Sequence, residues 1–349
     1  MPSDVVDWEL AITTGSRLAP KGPDMPLAEA RGIVRELREL ADQAVGPVRE
    51  CTGLVSPSDA PAADVVDRPA WIRSNIEAFE FVLEPILDRL RVAAGTGGVA
   101  EVGSRVTAIQ LGAVLGWLSG KVLGQYEALT PLGKAPRLML VAPNIVKVAD
   151  TLEVDRRDFS MWVALHEETH RVQFTAVPWL SNYMAGEIRA LVVGVDMPVD
   201  ELLRRSRKLF FAVIQVLRGK AESTEVMKAL QTPAQQAIFD QLTAFMSLLE
   251  GHADVVMDEV GPAIVPSVET IRKRFDERRA NPGVMDSLTR RMLGMDAKMR
   301  QYSDGAKFVR SVMEQVGMEG FNRVWEGPST LPSSAEIAQP DLWVARVHG

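Results

Sequence analysis

Apolar residues recur every three or four positions along most of the chain, which is the period of an amphipathic helix. A clear example is the series Ile76, Phe79, Leu83, Ile86 and Leu90. The same period predicts further helices over about residues 27–45, 156–175, 179–192, 198–218, 233–259, 268–280, 303–316 and 334–347. Most of the chain is therefore predicted to be helical.

Strand patterns are sparse by comparison. The clearest is the apolar segment RLMLVA at residues 137–142, which lies between Pro136 and Pro143. Together with the helices, it predicts a mainly α protein of the α+β class, with a small β-sheet and a large helical remainder. We consider two organisations, namely a single domain over residues 1–349 or two lobes over about residues 1–135 and 136–349.

Four glycines follow one another at four-residue spacing, namely Gly112, Gly116, Gly120 and Gly124. They overlap the longest apolar run, residues 106–118, which is too short to span a bilayer. Glycine on one face of a helix lets another backbone approach closely. The pattern therefore predicts two tightly packed soluble helices and no membrane segment.

Composition narrows the class of protein further. The chain has 349 residues, of which 46% are hydrophobic and 24% charged, with a net charge of -7, so it is expected to fold around a sizeable core. The single cysteine, Cys51, and the absence of a signal-peptide pattern in MPSDVVDWEL predict a cytoplasmic protein without disulfides. The acidic balance, and the acidic residues that interrupt the basic cluster at 272–279, predict no nucleic-acid partner.

The candidate chemistry lies in the predicted helix over 156–175, which contains the motif His166-Glu167-Glu168-Thr169-His170. The number of HExxH motifs expected by chance in a chain of this composition is about 0.003. Residues four apart share a helix face, so both imidazoles can reach one zinc ion. Glu167 is rotated about 60° from His170 on the helix, where it can act as the general base towards a zinc-bound water. Glu168 points away and is predicted to be a solvated or structural carboxylate.

A catalytic zinc site usually has three protein ligands, so one ligand must come from elsewhere in the chain. The remaining histidines are His252 and the penultimate residue, His348. Glu250 lies two residues before His252 on a predicted helix and faces nearly the opposite way, so the two cannot bind one metal together. Imidazole is the commoner zinc ligand, whereas Glu250 shares a helix face with Asp254, so both candidates stay open at this point.

An HExxH motif followed by a helix that carries E-x-x-x-D resembles the zincin metallopeptidases whose third ligand is glutamate. This resemblance implies that Glu250 binds zinc and that Asp254 accepts a hydrogen bond from the outer nitrogen of a zinc histidine. Gly251, beside Glu250, is expected to let another helix approach closely. Zincins also often keep an edge strand that binds an extended substrate by backbone pairing, which we expect at residues 137–146.

The whole chain also resembles the zincin-like hydrolases of actinobacteria, some of which are labelled "coenzyme F420 biosynthesis-associated". The resemblance rests on segments spread along nearly the full length. They are DWELA near residue 7, VVDRPAWI at 65–72, VLGQYEAL at 122–129, VAPNIV at 141–146, HEETHRVQF at 166–174, EGHADVVMD at 250–258 and the tail from NRVWEGP onwards.

A transition-state oxyanion needs a hydrogen-bond donor, and the candidates are Tyr302, Arg300 and Tyr183. Tyr302 is preferred, because the segment KMRQY at 298–302 resembles relatives of that family. Tyrosine in a helical protein is more often a core residue with a satisfied hydroxyl, and this alternative applies to all the tyrosines.

The sequence thus predicts a zinc-dependent hydrolase, and more narrowly a metallopeptidase that acts on a peptide or small amide substrate. Its oligomeric state is not specified by the pattern. One alternative is a zinc-stabilised scaffold or binding protein without turnover, and another is a metal-dependent amidase of a small metabolite. The presence of Glu167 favours an enzyme, because a purely structural zinc site does not need a general base.

Overall fold

The computed structural model describes residues 6–57, 61–94, 98–130, 134–193, 233–280 and 295–349. The helices of the first half are α1 (Trp8–Leu18), α2 (Leu27–Thr52), α3 (Arg68–Ala94), α4 (Gly98–Leu118), α5 (Ala142–Leu152), α6 (Arg156–Ala176) and α7 (Leu180–Val193). Those of the second half are α8 (Pro233–Ile264), α9 (Val268–Ala280), α10 (Met295–Phe321), α11 (Ser334–Ala338) and α12 (Pro340–His348). The strands are β1 (Asp64–Val66), β2 (Gly124–Tyr126) and β3 (Leu138–Val141). The predicted class, mainly helical with a small sheet, is confirmed.

The long helices agree with the apolar period, and the short elements account for the differences. The helix predicted over 198–218 lies outside the described residues. The helix predicted over 334–347 is divided into α11 and α12, because Pro340 begins a new helix. The strands β1 and β2 have three residues each, which is too short to show a periodic pattern.

The three strands form one sheet in the order β1-β3-β2. The middle strand β3 pairs in parallel with β1 and antiparallel with β2. The expectation that residues 137–146 form an edge strand is therefore wrong. Every residue of β3 is buried, as expected for a strand with a neighbour on each side, and β2 lies at an edge instead.

The two faces of β2 contact different helices, because side chains alternate along a strand. Gln125 points towards α3, where the indole Nε1 of Trp71 donates a hydrogen bond of 2.8 Å to its Oε1. Tyr126 points towards α6, where its ring stacks on Phe174 at 5.7 Å between centroids. The sheet edge is thus held between α3 and the helix that carries HExxH.

Helix α6 is fixed at its start and buried along its middle. The side chain of Asp155 accepts a hydrogen bond of 2.9 Å from the backbone N–H of Asp158, which caps the helix. The carboxylate of Asp158 in turn accepts hydrogen bonds from the N–H and the hydroxyl of Ser267. Helices α2 and α5 and strands β2 and β3 surround α6, so only a small part of its surface stays accessible.

The predicted close packing of two helices through glycine is found between α1 and α4. A Cβ placed on Gly112 would lie 2.5 Å from the carbonyl oxygen of Ala11, and one on Gly116 would lie 2.7 Å from that of Gly15. The four glycines do not share one helix face, however, because α4 ends at Leu118. Gly124 instead belongs to strand β2.

Replacing Gly112 by Ala is expected to lower the free energy of unfolding by about 1–3 kcal/mol, because the new methyl group would overlap the backbone of α1. The matched control is Gly103→Ala in the same helix, where no atom lies within 4 Å of the added Cβ. The control should stabilise the protein by up to about 1 kcal/mol, since alanine has the higher helix propensity. Urea unfolding of both variants measures the difference, and equal effects would contradict the packing described here.

The chain divides into two compact units. One consists of Met1–Ser181 with Glu259–Ile271, and the other of Asn182–Asp258 with Arg272–Gly349. The predicted organisations, a single domain or two lobes divided near residue 135, stay predictions, because compactness does not show which parts fold independently. Among the described residues, no helix is long and apolar enough to cross a membrane.

Candidate metal centre

Two histidine side chains converge on one face of α6. Between Phe159 and Gln173, every residue of this helix is buried except His166 and His170, which are partly exposed. Their Nε2 atoms lie 3.2 Å apart, and the rings meet edge to face at 4.7 Å between centroids. Two nitrogens bound tetrahedrally to zinc at about 2.0–2.1 Å would be about 3.3 Å apart. The distance between the two imidazole nitrogens therefore matches that of a zinc-bound pair.

The tautomer of His170 is set by Gln173, which is fully buried one turn further along α6. The side-chain oxygen Oε1 of Gln173 lies 3.0 Å from Nδ1 of His170. A carbonyl oxygen can only accept, so Nδ1 carries the proton and donates it. The lone pair of Nε2 is then left for a metal, as in most zinc histidines. The role of Gln173 was not predicted from the sequence, although its position three residues after His170 places it on the neighbouring turn.

The third metal-binding candidate is Glu250 of α8, which belongs to the other compact unit. Its side chain is partly exposed, like those of His166 and His170, as ligands with an open coordination position need to be. Two imidazoles and one carboxylate are a donor set that zinc takes in hydrolytic enzymes. The three side chains thus have the chemistry of a zinc site, and the role of Glu250 in it stays a prediction.

The other two histidines have structural surroundings. His252 is fully buried, and its ring lies 5.3 Å from that of Phe321 and 5.5 Å from that of Trp325 between centroids. Near the end of the chain, Nε2 of His348 donates a hydrogen bond of 3.1 Å to the carbonyl of Gly320.

Helix α8 is held beside α10 through a pair of glycines, as the position of Gly251 predicts. A Cβ on Gly251 would overlap the backbone of Gly305, and one on Gly305 would overlap that of Ser247. The backbones of the two helices are thus in direct contact one residue after Glu250, which limits any movement of this part of α8. Four residues after Glu250, the backbone carbonyl of Asp254 accepts a hydrogen bond of 3.3 Å from Arg272. The role of the Asp254 side chain stays a prediction.

Glu167 lies against the backbone of β2. It is only 6% exposed, and a Cβ placed on Gly124 would be 2.5 Å from its Cγ and 2.7 Å from its Oε1. The candidate general base is thus a buried carboxylate that lies against the edge strand of the sheet. Such a position shields a carboxylate from bulk water, which strengthens its electrostatic interactions with nearby groups.

The neighbouring Glu168 is buried and not solvated, which corrects one of the two alternatives for this residue. Its Oε2 lies 2.7 Å from Nη2 of Arg171, and the two side chains are 2% and 8% exposed. Burial raises the pKa of Glu168 to about 7, although Arg171 lowers it. Arg171 also donates a hydrogen bond of 3.0 Å to the carbonyl of Pro61. This ion pair fixes the side of α6 that faces α2, and its role is structural.

The candidates for oxyanion stabilisation are only partly described. The side chains of Tyr302 and Arg300 lie outside the described part of the structure, so their roles stay predictions. Tyr183 is half-buried on α7, with its ring 5.4 Å from that of Phe245, and burial raises the pKa of its hydroxyl. Its surroundings are those of a core residue.

Comparisons with known proteins show which family the chain belongs to. The family model of the zincin-like metallopeptidases matches residues 6–344. A crystal structure from Chloroflexus aurantiacus, described as that of "a putative hydrolase with a novel fold", is similar over 98% of this chain and 99% of its own, with 28% sequence identity and a TM-score of 0.70. A search among functionally curated proteins finds no match. The resemblance seen in the sequence is confirmed over nearly its whole length, and the chain belongs to the zincin-like metallopeptidase family.

Proposed function

We propose that the protein is a zinc-dependent hydrolase that cleaves amide bonds in peptides, with His166, His170 and Glu250 as the zinc ligands. The observation that carries the proposal is the pair of imidazole nitrogens on α6, which lie 3.2 Å apart. The family supports a metallopeptidase, and the similar structure from Chloroflexus aurantiacus supports a hydrolase.

When bound, zinc would supply a Lewis acid that lowers the pKa of water to about 7 and polarises the substrate carbonyl. Glu167 would take a proton from the attacking water on its carboxylate and later deliver it to the leaving amide nitrogen. Its neighbour on the other side, Glu168, is paired with Arg171 and is not available for this step. Gln173 would keep the ring of His170 in the orientation required of a ligand.

Asp254 is proposed to orient the other histidine. Since Nδ1 of His170 already faces Gln173, the outer nitrogen left for a carboxylate is that of His166. Asp254 lies one helical turn after Glu250 and shares its face of α8, so a metal ligand and its orienting partner would come from the same helix. Tyr302 is proposed to stabilise the oxyanion.

The edge strand favours a peptide over a small metabolite. Two backbone hydrogen bonds of 2.8 Å flank β2. The N–H of Val141 donates to the carbonyl of Leu123, and the N–H of Glu127 donates to the carbonyl of Arg137. Hydrogen-bonded and non-hydrogen-bonded positions alternate in an antiparallel pair, so the N–H and C=O of Gly124 point away from β3, to the outer side of the sheet edge. An extended peptide can pair with these groups, beside Glu167.

The test is cleavage of a mixed peptide library by the purified protein, with and without a chelator. Cleavage should occur, stop when metal is removed, and return when zinc is added to the metal-free protein. Cleavage that continues in the chelated, metal-free protein would contradict zinc dependence. Turnover of small amides without any peptide cleavage would instead favour the amidase, and zinc binding without any turnover would favour the scaffold.

A further inference from the structure

The edge strand approaches the candidate base at Gly124. A Cβ added there would lie 2.5 Å from Cγ, 2.6 Å from Cδ and 2.7 Å from Oε1 of Glu167. Carbon atoms in contact are normally about 3.5–4.0 Å apart, so there is no room for a side chain at this position. These three nearest atoms all belong to the Glu167 side chain and none to the backbone of α6.

Space, and not backbone conformation, is what requires a glycine at this position. Gly53 and Gly317 are the glycines with positive φ among the described residues, and Gly124 is not one of them. An alanine could therefore adopt the backbone conformation of Gly124 without strain. Its methyl group would instead overlap the side chain of Glu167, to which the three nearest atoms belong.

Neither partner can move away easily. The strand is held to β3 by backbone hydrogen bonds on both sides of Gly124, and the amide of Gln125 is bonded to Trp71 and Asn75 on α3. Glu167 is buried on a helix that α2, α5 and two strands surround. The backbone of Gly124 is therefore a fixed wall against which the carboxylate rests.

We infer that Gly124 is a positioning residue that sets where the Glu167 carboxylate lies, by presenting bare backbone at the edge strand. The part of this inference that concerns hydrolysis rests on the proposed function, whereas the contact itself does not. A larger residue would displace the carboxylate from its place beside the two histidines. The same strand edge that offers its N–H and C=O to a peptide would thus also locate the proton acceptor.

The contact is tested by a double-mutant cycle of thermal unfolding in metal-free protein. Gly124→Ala should lower Tm by about 1–4 °C in the wild-type background, as overpacking does in a chain of 349 residues. In the Glu167→Ala background the atoms that the methyl group meets are gone, so Gly124→Ala should leave Tm nearly unchanged. Gly103→Ala, which has open space, controls for the effect of an added methyl group in both backgrounds.

An equal Tm penalty for Gly124→Ala in both backgrounds, or no penalty in either, would overturn the inference. If Gly124→Ala alone does not fold, Glu167→Ala should restore folding, and failure of that rescue would equally overturn it. A crystal structure of Gly124→Ala should show the Glu167 carboxylate moved, with both imidazoles in place. An unmoved carboxylate would contradict the positioning role.

The catalytic consequence is measured separately on a peptide that the wild-type protein cleaves. In zinc-loaded Gly124→Ala, kcat should fall on the order of 100-fold, because a displacement of about 1 Å in a catalytic group has effects of that size. KM should change little, and the acidic limb of the pH profile should shift, which a purely structural defect would not cause. Unchanged kcat would contradict positioning. Failure of the wild type to cleave any peptide would refute the proposed function but not the unfolding cycle.

Discussion

Glu167→Gln is expected to reduce peptide hydrolysis about 100- to 10,000-fold while zinc content and Tm stay close to the wild-type values. Glutamine has the shape of glutamate, so it fits the narrow space beside Gly124 that the Glu167 side chain occupies. It cannot take a proton from water, however, and the step assigned to the carboxylate is lost. The measurements are kcat on a cleaved peptide, zinc content and thermal unfolding.

Glu168→Gln is the matched control, since it makes the same chemical change one residue further along α6. It should lower Tm, because Arg171 would lose its buried carboxylate partner. The folded, zinc-loaded variant should nevertheless keep most of the wild-type kcat. Loss of zinc in Glu167→Gln would place Glu167 among the ligands, and full activity in that variant would refute its role as the base.

The second large effect concerns the residue that completes the metal site. Glu250→Ala should weaken zinc binding by at least about 1,000-fold, which corresponds to about 4 kcal/mol, because it removes a ligand. His252→Ala should keep zinc affinity but lower the free energy of unfolding by about 2–5 kcal/mol, since it leaves a cavity between Phe321 and Trp325. Chelator competition at neutral pH and urea unfolding separate the two effects.

The opposite pattern would change the site. If His252→Ala loses zinc and Glu250→Ala keeps it, the ligands are three histidines. That outcome would contradict Glu250 as the third ligand. A loss of zinc affinity in both variants would instead mean that zinc binding also depends on the packing of His252 in its helix.

Much of this site could be predicted because the chemistry is encoded within single helices. His166, Glu167 and His170 are related by the helical period alone, so their mutual geometry follows once α6 forms. The contact of α8 with another helix could likewise be expected from Gly251, because a glycine in a helix interior usually marks a close approach. Local pattern was enough in both cases.

The features that escaped prediction depend on contacts between distant segments. Gly124 appeared to continue a helical series of glycines, whereas it lies on β2 against Glu167. The position of β3 in the middle of the sheet depends on β1 and β2, which are too short for their pattern to be read. Glu168 was placed correctly on the far side of α6, but its burial depends on α2, which packs there.

The orientation of His170 shows a different limit. Gln173 is within hydrogen-bonding distance by its spacing, yet glutamine at i+3 occurs on many exposed helix surfaces. Only the complete burial of Gln173 distinguishes it here, and burial depends on the packing of the whole unit. The sequence therefore identified the candidate metal-binding pair but not Gln173, which contacts His170.

The central claim, a zinc ion held by α6 and Glu250, is tested most directly by zinc content and X-ray absorption at the zinc edge. We predict one zinc ion per chain, bound by two imidazole nitrogens at about 2.0–2.1 Å together with oxygen ligands at about 2.0–2.2 Å. His166→Ala and His170→Ala should each remove the ion. The account would be contradicted if the purified protein binds no zinc after reconstitution. It would equally be contradicted if zinc stays bound after both histidines are replaced.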